Sequence, residues 1–451
     1  MPNDFAYFTL LVWPIVSIVL YRKYPVITAT FWTIVGGYLL LPVGVKFDFP
    51  LVPGLDKRSI PAIMAYLGCR FIAKQNIKIL PPSGIERNLI ILFFIGTIAT
   101  VFTNGDPVIE ANRYIPGLGF RDILSMVISQ WLLLMPFILG LQLIKTHEDQ
   151  VLFLKLLVIA GLCYSLPIFF EIRMSPQLHR WTYGFFPHSW IQQIRYSGFR
   201  PVVFLGHGLW VSIFIFTVLG SLLALSKLEI KYFRFSNKLL IAYFLGLLII
   251  SKGLGSILLG ISLLAIVILL RAESINTASR IIALTAISYP LLCLVDLFPH
   301  QYLIDTAQLI DPYRADSLKY RFDQESAVLQ RASEKILFGW GGWDRNRLED
   351  SVTDGYWVIL VGKYGLLGFT AIFGLIFNTI WKTREICRIE SDKNISQFMA
   401  GVSITIAFLM IDQIPNASIN PLLWLLVGAQ AGRYRQATSS HGLSKNNQVN
   451  R

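Results

Sequence analysis

Charge and cysteine are scarce in this chain. Of its 451 residues only 15% are charged and four are cysteine. Cys69, Cys163, Cys293 and Cys387 stand singly, in apolar blocks or in a basic link, which excludes a disulfide framework and a CxxC metal pair. There is too little polar sequence to cover the three soluble domains that about 150 residues per domain would suggest. Instead 54% of residues are apolar, mean hydropathy is +0.56, and the apolar residues fall in blocks of roughly 15 to 25, the length that crosses a bilayer. A block such as 281–298 would have no buried partner in water, so soluble enzymes, secreted scaffolds and disordered tails are excluded. The chain reads as an all-α polytopic membrane protein with the lipid bilayer as its solvent. A signal peptide is not expected at 5–21, because Asp4 rather than a basic cluster precedes it and no small-residue cleavage site follows.

Acidic residues are the scarcer charge, 27 against 40 Lys plus Arg, a net +13. In a soluble protein that balance would suggest nucleic acid. Here the basic residues cluster at Arg22-Lys23, Lys227–Lys238, Trp381–Lys393 and after Gly432, as expected of cytoplasmic links, and no nucleic-acid partner is implied. Spans are expected near 5–21, 25–45, 87–103, 121–144, 151–170, 201–225, 239–251, 256–270, 281–298, 356–380, 397–411 and 421–432. Segment 58–73 carries Arg58 and Arg70 and reads as a thirteenth span, a re-entrant piece or an interfacial helix, which leaves the side of the N-terminus open. Counting back from the basic tail puts 145–150, 226–238, 271–280 and 381–396 inside, and 104–120, 171–200, 252–255, 299–355 and 412–420 outside. Residues 1–435 thus form one transmembrane domain that includes the outer loops 171–200 and 299–355. Residues 436–451 are expected to be a cytoplasmic tail without fixed structure.

The outer links carry the unusual residues. Loop 299–355 is long, and Leu318, Phe322, Leu329, Ala332 and Ile336 recur at helical spacing, predicting an amphipathic helix over 316–337 at the membrane boundary. Link 171–200 holds Arg173, Arg180, Arg195 and Arg200 against Glu171 alone, which inverts the usual charge bias and suggests an anionic ligand. Arg195 and Arg200, flanking Tyr196-Ser197-Gly198-Phe199 before a helix mouth, are candidates for a forked anion clamp; interfacial snorkelling is the competing reading. His207 is expected one to two turns into the following span, as a site residue or a hydrogen-bonded helix contact. Lys252, in the tight turn Ser251-Lys252-Gly253-Leu254-Gly255-Ser256, adds a cation, though a turn lysine is ordinarily just solvated. Arg321 and Phe338-Gly339-Trp340-Gly341-Gly342-Trp343 suit a sugar-stacking platform or an interfacial anchor. In the acidic stretch 349–355, Asp354 lies closest to the bilayer and could take a proton from an attacking hydroxyl; the spacing matches no recognised metal motif.

On these residues the chain resembles the O-antigen ligase and O-antigen polymerase superfamily, membrane glycosyltransferases that use undecaprenyl-diphosphate-linked glycans. The family's Arg-x-x-Gly pattern is similar to Arg195–Arg200, and its Ser-Arg-Gly turn to Ser251-Lys252-Gly253 with Lys for Arg. Its large outer loop is similar to Arg321, then Gly339-Trp340-Gly341, then Asp354-Gly355-Tyr356-Trp357 leading into Leu360–Gly368. The resemblance covers roughly 85–435 as an order of elements. It implies a GT-C-like fold in a bacterial inner membrane, a lipid-diphosphate glycan donor, a sugar acceptor and no cofactor or metal. It departs at one point, because the ligase pattern has a His-Asn pair, with the proposed catalytic histidine, where this chain has Asp354-Gly355. The expected roles are Arg200 and Arg321 on the diphosphate, with Asp354 as base. Arg195, Lys252, His207 and Trp340 would bind substrate. The competing classes are a lipid-linked oligosaccharide flippase or other transporter, and a non-catalytic envelope scaffold. Transporters commonly show repeats and mid-membrane charges, whereas no repeat is visible here and Lys155 and Asp296 lie within reach of span ends.

Overall fold

The computed structural model describes residues 1–49, 52–110, 112–195, 198–228, 235–349, 351 and 354–449, without the side chains of 310, 313, 314 and 440–449. The chain begins with α1 (Asp4–Lys23), then α2 (Val26–Phe31) and α3 (Gly37–Leu40) joined by a π turn, and the strands β1 (Lys46–Phe47) and β2 (Leu55–Asp56). Next come α4 (Ser59–Leu67), prolonged by a π turn to Ile72, α5 (Ile85–Phe102), β3 (Val108–Glu110), β4 (Arg113–Ile115), α6 (Phe120–Leu143), α7 (His147–Met174) and α8 (Leu178–Tyr183). The order continues with β5 (Ile194–Arg195), β6 (Gly198–Phe199), α9 (Gly208–Ser226), α10 (Asn237–Ile250), α11 (Leu254–Leu269) and α12 (Ala272–Leu294). It ends with α13 (His300–Ile310), α14 (Pro312–Ser333), α15 (Tyr356–Ile389), α16 (Lys393–Ile411) and α17 (Pro421–Val449). Among the described residues the strands form only three two-stranded antiparallel hairpins, all in links. The protein is all-α. Helices α1, α5, α6, α7, α9, α12, α15 and α16 are long and apolar enough to cross a membrane, and Val26–Leu40, Ser59–Ile72, α10 and α11 are shorter apolar helices.

Polar contacts sort the links into two ends. At one end Asn104 Nδ2 donates to Gly339 O, Lys252 Nζ to Arg195 O, Arg321 Nη1 to Pro415 O and Trp210 Nε1 to Ala417 O. All five links expected outside therefore meet. At the other, Lys382 and Arg435 grip Glu86 at 3.1 and 2.6 Å, Arg433 pairs with Glu390, and Gln397 Nε2 donates to Leu270 O. Asn3 belongs to the first end, donating from its backbone N to Tyr183 O. Ser59–Ile72 connects the two, for Lys57 Nζ donates to Phe204 O just before it, while Lys78 N donates to Gln142 Oε1 at the C-terminal end of α6. Glycines within α6 and α17 let the backbones approach, since a Cβ on Gly428 would lie 2.3 Å from Phe137 O and one on Gly140 2.7 Å from Leu425 O.

Several boundaries differ from the periodicity. The span expected over 201–225 starts only at Gly208: Pro201 bars helix at Arg200, and Val203 and Gly206 take φ of +50° and +89°. His207 is thus the N-cap of α9, outside the helix rather than one to two turns inside it. The span expected to reach 45 stops at Leu40, because Leu41 precedes Pro42 and is extended. The amphipathic segment begins earlier and is two helices, broken where Pro312 opens α14. Its apolar stripe faces inward, with Val328 and Ala332 fully buried. The last helix continues to Val449, past the expected span end at 432 and into the segment expected to lack structure. No proline follows Pro421, and each added residue closes one more hydrogen bond.

Helix α15 is broken at Gly365, whose φ of +63° and ψ of −165° are open only to glycine. The break frees backbone groups that would cost several kcal/mol each if left unpaired in an apolar surrounding. Residues 336–341 satisfy them: Trp340 N and Gly341 N donate to Gly362 O and Lys363 O, and Leu366 N donates to Ile336 O. Contact is so close that a Cβ on Gly339 would lie 2.5 Å from the Lys363 carbonyl carbon.

Candidate functional site

Loop 200–207 is pinned from below by one carboxylate. Glu171, fully buried near the end of α7, accepts from Val202 N and Val203 N at 2.7 Å through Oε2 and from Leu178 N at 2.9 Å through Oε1. Hydrogen bonds to a charged acceptor contribute about 1.5–3 kcal/mol each, enough to hold an otherwise irregular segment. Arg200 N donates to Gln193 O, and Gln193 Oε1 accepts from Gly208 N. A Cβ at Gly208 would meet Arg200 Cβ at 2.9 Å, so the arginine lies directly against the first turn of α9. Beside it, Lys252 adopts φ of +58° and reaches the β5–β6 hairpin, where a Cβ on Gly198 would fall 2.2 Å from its Nζ. Two helices present their N-terminal first turns here, α9 and α11, and such ends favour anions.

Opposite stand α14 and the start of α15. Arg321 Nη1 lies 3.8 Å from Asp354 Oδ2, both about half exposed, so this pair contributes little to stability. Tyr356 N donates to Gln413 O and Asn416 O, tying the residues after Asp354 to link 412–420. That link is shaped by buried Asp412, which accepts from Ser418 Oγ at 2.6 Å and from Asn416 Nδ2 at 2.8 Å.

Between these walls lies a cavity of about 770 Å³, and Arg195, Arg200, His207, Lys252, Arg321 and Asp354 all line it. Its electrostatics are lopsided: Asp354 is the one carboxylate among the lining residues, against four cations. Arg200 is only 8% exposed and its Nε has no hydrogen-bond partner among the described residues. Burial, and secondarily Arg195, pulls its guanidinium down to about 10, below the ordinary arginine range. His207 Nδ1 accepts from Leu209 N at 3.0 Å, which leaves the ring proton on Nε2. Burial first, then Arg200, His188 and Arg195, depresses this imidazole to about 4, so it is a neutral hydrogen-bond donor near neutral pH. The arrangement can bind a multiply charged anion, with a carboxylate at its edge able to accept a proton.

Trp340 is not part of this cavity. It is 9% exposed, its Nε1 donates to Arg331 O at 2.7 Å, and Arg331 stacks 3.5 Å from its ring centroid. Both the ring face and the indole N–H are thus engaged by Arg331 of α14 rather than offered as a sugar platform, while the backbone N of Trp340 meets Gly362 O at the α15 break. Tyr196, Ser197, Asp350, Val352 and Thr353 lie outside the described residues. Sequence reasoning missed Asn416 and Trp210, which also line the cavity, and Glu325, which accepts from Tyr289 OH at 2.5 Å and Trp357 Nε1 at 3.2 Å in a second cavity shared with Arg321 and Asp354. The available signal for Glu325 was its place one helical turn after Arg321. Among the described residues one group has metal-binding geometry, Cys293, His300 and Glu325, and the acidic stretch at 349–355 is not it.

No family model matches the chain, and no match to it is found among curated proteins.

Proposed function

We propose that the protein is a membrane glycosyltransferase that transfers or polymerises glycan from an undecaprenyl-diphosphate-linked donor on the outer face of a bacterial inner membrane. The observation that carries this is the cavity in which four cations from three separate links meet a single carboxylate. In this reading the bundle is GT-C-like with thirteen spans, Ser59–Ile72 among them, and the N-terminus shares the cavity's side. The diphosphate sits against Arg195, Arg200, Lys252 and Arg321, with the N–H-rich first turns of α9 and α11 and the His207 Nε2 proton adding to the field. The acceptor hydroxyl gives its proton to Asp354 as its oxygen bonds the anomeric carbon. The bond from that carbon to phosphate oxygen breaks with its electron pair passing to the diphosphate, where the arginines stabilise the growing charge. Attack from the face opposite the leaving group inverts the anomeric centre. Asp354 would thereby take the part that histidine has in the ligase pattern. No nucleotide sugar, metal or cofactor enters these steps.

A carrier reading draws less support, since the cations gather at one rim and α9 beneath them is packed along its length by residues such as Phe214 and Phe216. The test is transfer by the full chain in detergent or nanodiscs with an undecaprenyl-diphosphate-linked glycan. Arg200→Ala and Arg321→Ala should each lose product while Arg433→Ala, at the other end, keeps it. Full transfer by both cavity variants would overturn the proposal.

A further inference from the structure

Behind Arg321 and Asp354 lies the second cavity, about 260 Å³, with Tyr289, Phe298, Phe322 and Glu325 in its walls. At its edge the chain turns sharply. Helix α12 ends at Leu294, Asp296 takes φ of +53°, Leu297 N donates to Leu292 O, and α13 opens on His300. The reversal brings Cys293 Sγ to 3.7 Å from His300 Nε2. Glu325 comes across from α14, and one ligand atom from each of the three lies within 4.8 Å of the others. A sulfur at ~2.3 Å and an imidazole nitrogen at ~2.1 Å from one tetrahedral zinc stand about 3.6 Å apart, which is the separation found.

The surroundings suit coordination as well as the spacing does. Tyr289 OH and Trp357 Nε1 each bond a different oxygen of Glu325, orienting the carboxylate and leaving a lone pair on each oxygen. The His300 ring is steadied by Phe298 and Phe322, with centroids 4.9 and 4.5 Å away. Cys293 is 3% exposed. A thiol–imidazole hydrogen bond would account for that pair alone. Tyr289 and Trp357 hold the carboxylate beside it, and a dication at the point where the three ligand atoms converge is neutralised by one thiolate and one carboxylate, which removes most of the cost of burying charge.

We propose that Cys293, His300 and Glu325 hold one borderline-soft divalent cation, with Zn(II) the best match to a thiolate, imidazole and carboxylate set. Binding releases the thiol proton to solvent and ties α12, α13 and α14 together. Because Arg321 and Glu325 are four residues apart on α14, the metal also fixes the helix that carries one of the cavity's cations.

The test uses the full chain in detergent, stripped with chelator and titrated with Co(II), then Zn(II), without any glycan donor, so its outcome is independent of the transferase reading. One equivalent of Co(II) should give a thiolate-to-cobalt charge-transfer band that Zn(II) abolishes. Cys293→Ser should lose the band and bind Zn(II) at least about 100-fold more weakly, and Cys163→Ser should change nothing. Tyr289→Phe keeps all three ligands but releases the carboxylate, and should weaken binding about 10- to 100-fold, which preserves the test if Cys293→Ser fails to fold. Absence of the band in the native protein, or native-like Zn(II) affinity in folded Cys293→Ser or Tyr289→Phe, would overturn the proposal.

Discussion

Replacing Arg200 with methionine should make the empty protein more stable and leave it without transferase activity. The guanidinium is 8% exposed, its Nε has no partner among the described residues, and burial pulls its ionisation down to about 10, so keeping the charged form buried costs about 3 kcal/mol. For a cation with a depressed value the sign is clear: the cost is present at every pH below about 10 and is lost only as pH rises from there through the ordinary arginine range. Methionine fills similar space without the charge, and removing an uncompensated buried charge typically stabilises. Function should move the other way. A forked pair of charge-assisted hydrogen bonds to phosphate, at about 1.5–3 kcal/mol each, corresponds to a loss of about 150-fold or more in transfer. Thermal unfolding in detergent and product formation, measured on the same preparation, give both readings. A lower melting temperature with activity retained would refute the argument, because Arg200 would then be a packing residue with no anion to meet.

The charged link residues were legible because charge is costly in lipid and a basic cluster in a link expected outside has no topological cause. Arg195, Arg200, Lys252, Arg321 and Asp354 come from three links, yet all face one cavity. His207 was picked for its residue type and placed wrongly within the chain, since its role as N-cap depends on a loop held by Glu171, 36 residues earlier. Trp340 shows the converse. Glycine and tryptophan in sequence do not say whether an indole is open to a sugar or closed off by a neighbour, and here the indole N–H donates to Arg331 O and the ring lies under the Arg331 guanidinium. The Cys293–His300–Glu325 group was invisible, because it joins a helix end, a helix start and the middle of a third helix through a turn with no sequence signature. Helix ends outran the apolar runs for a related reason: α12 begins at Ala272 in polar sequence, where periodic apolarity has not yet started.

Asp354→Asn should lower transfer by about 100-fold or more while donor binding persists, because the amide cannot accept the proton; Asp354→His should keep part of the rate. Unchanged product from Asp354→Asn would remove the assigned base. Cysteines at Phe5 and Glu334, both exposed, should label from outside intact cells and one at Ser439 only after permeabilisation. Outside labelling at 439 would invert the topology. Gly365→Ala, with φ of +63° and its Cβ 2.2 Å from the Leu337 carbonyl, should destabilise by about 3 kcal/mol or more in a melting assay. Acid should weaken the fold around the cavity through two histidines. His179 Nε2 accepts from Val43 N while its Nδ1 bonds Phe185 O, and His207 Nδ1 accepts from Leu209 N, so protonating either ring sets N–H against N–H. Both are depressed from 6.5 to about 4, chiefly by burial. Between those values the unfolded chain binds protons that the folded one refuses, so stability is complete above pH 6.5 and falls as pH drops toward 4, by at most about 3 kcal/mol for each ring. Melting temperatures at pH 7.5 and 5 should therefore differ, and His207→Asn, which retains a cap acceptor but cannot titrate, should shrink the difference. An unchanged slope in His207→Asn would show that this ring is free to protonate in the folded protein, and that the acceptor contact to Leu209 N does not hold it neutral.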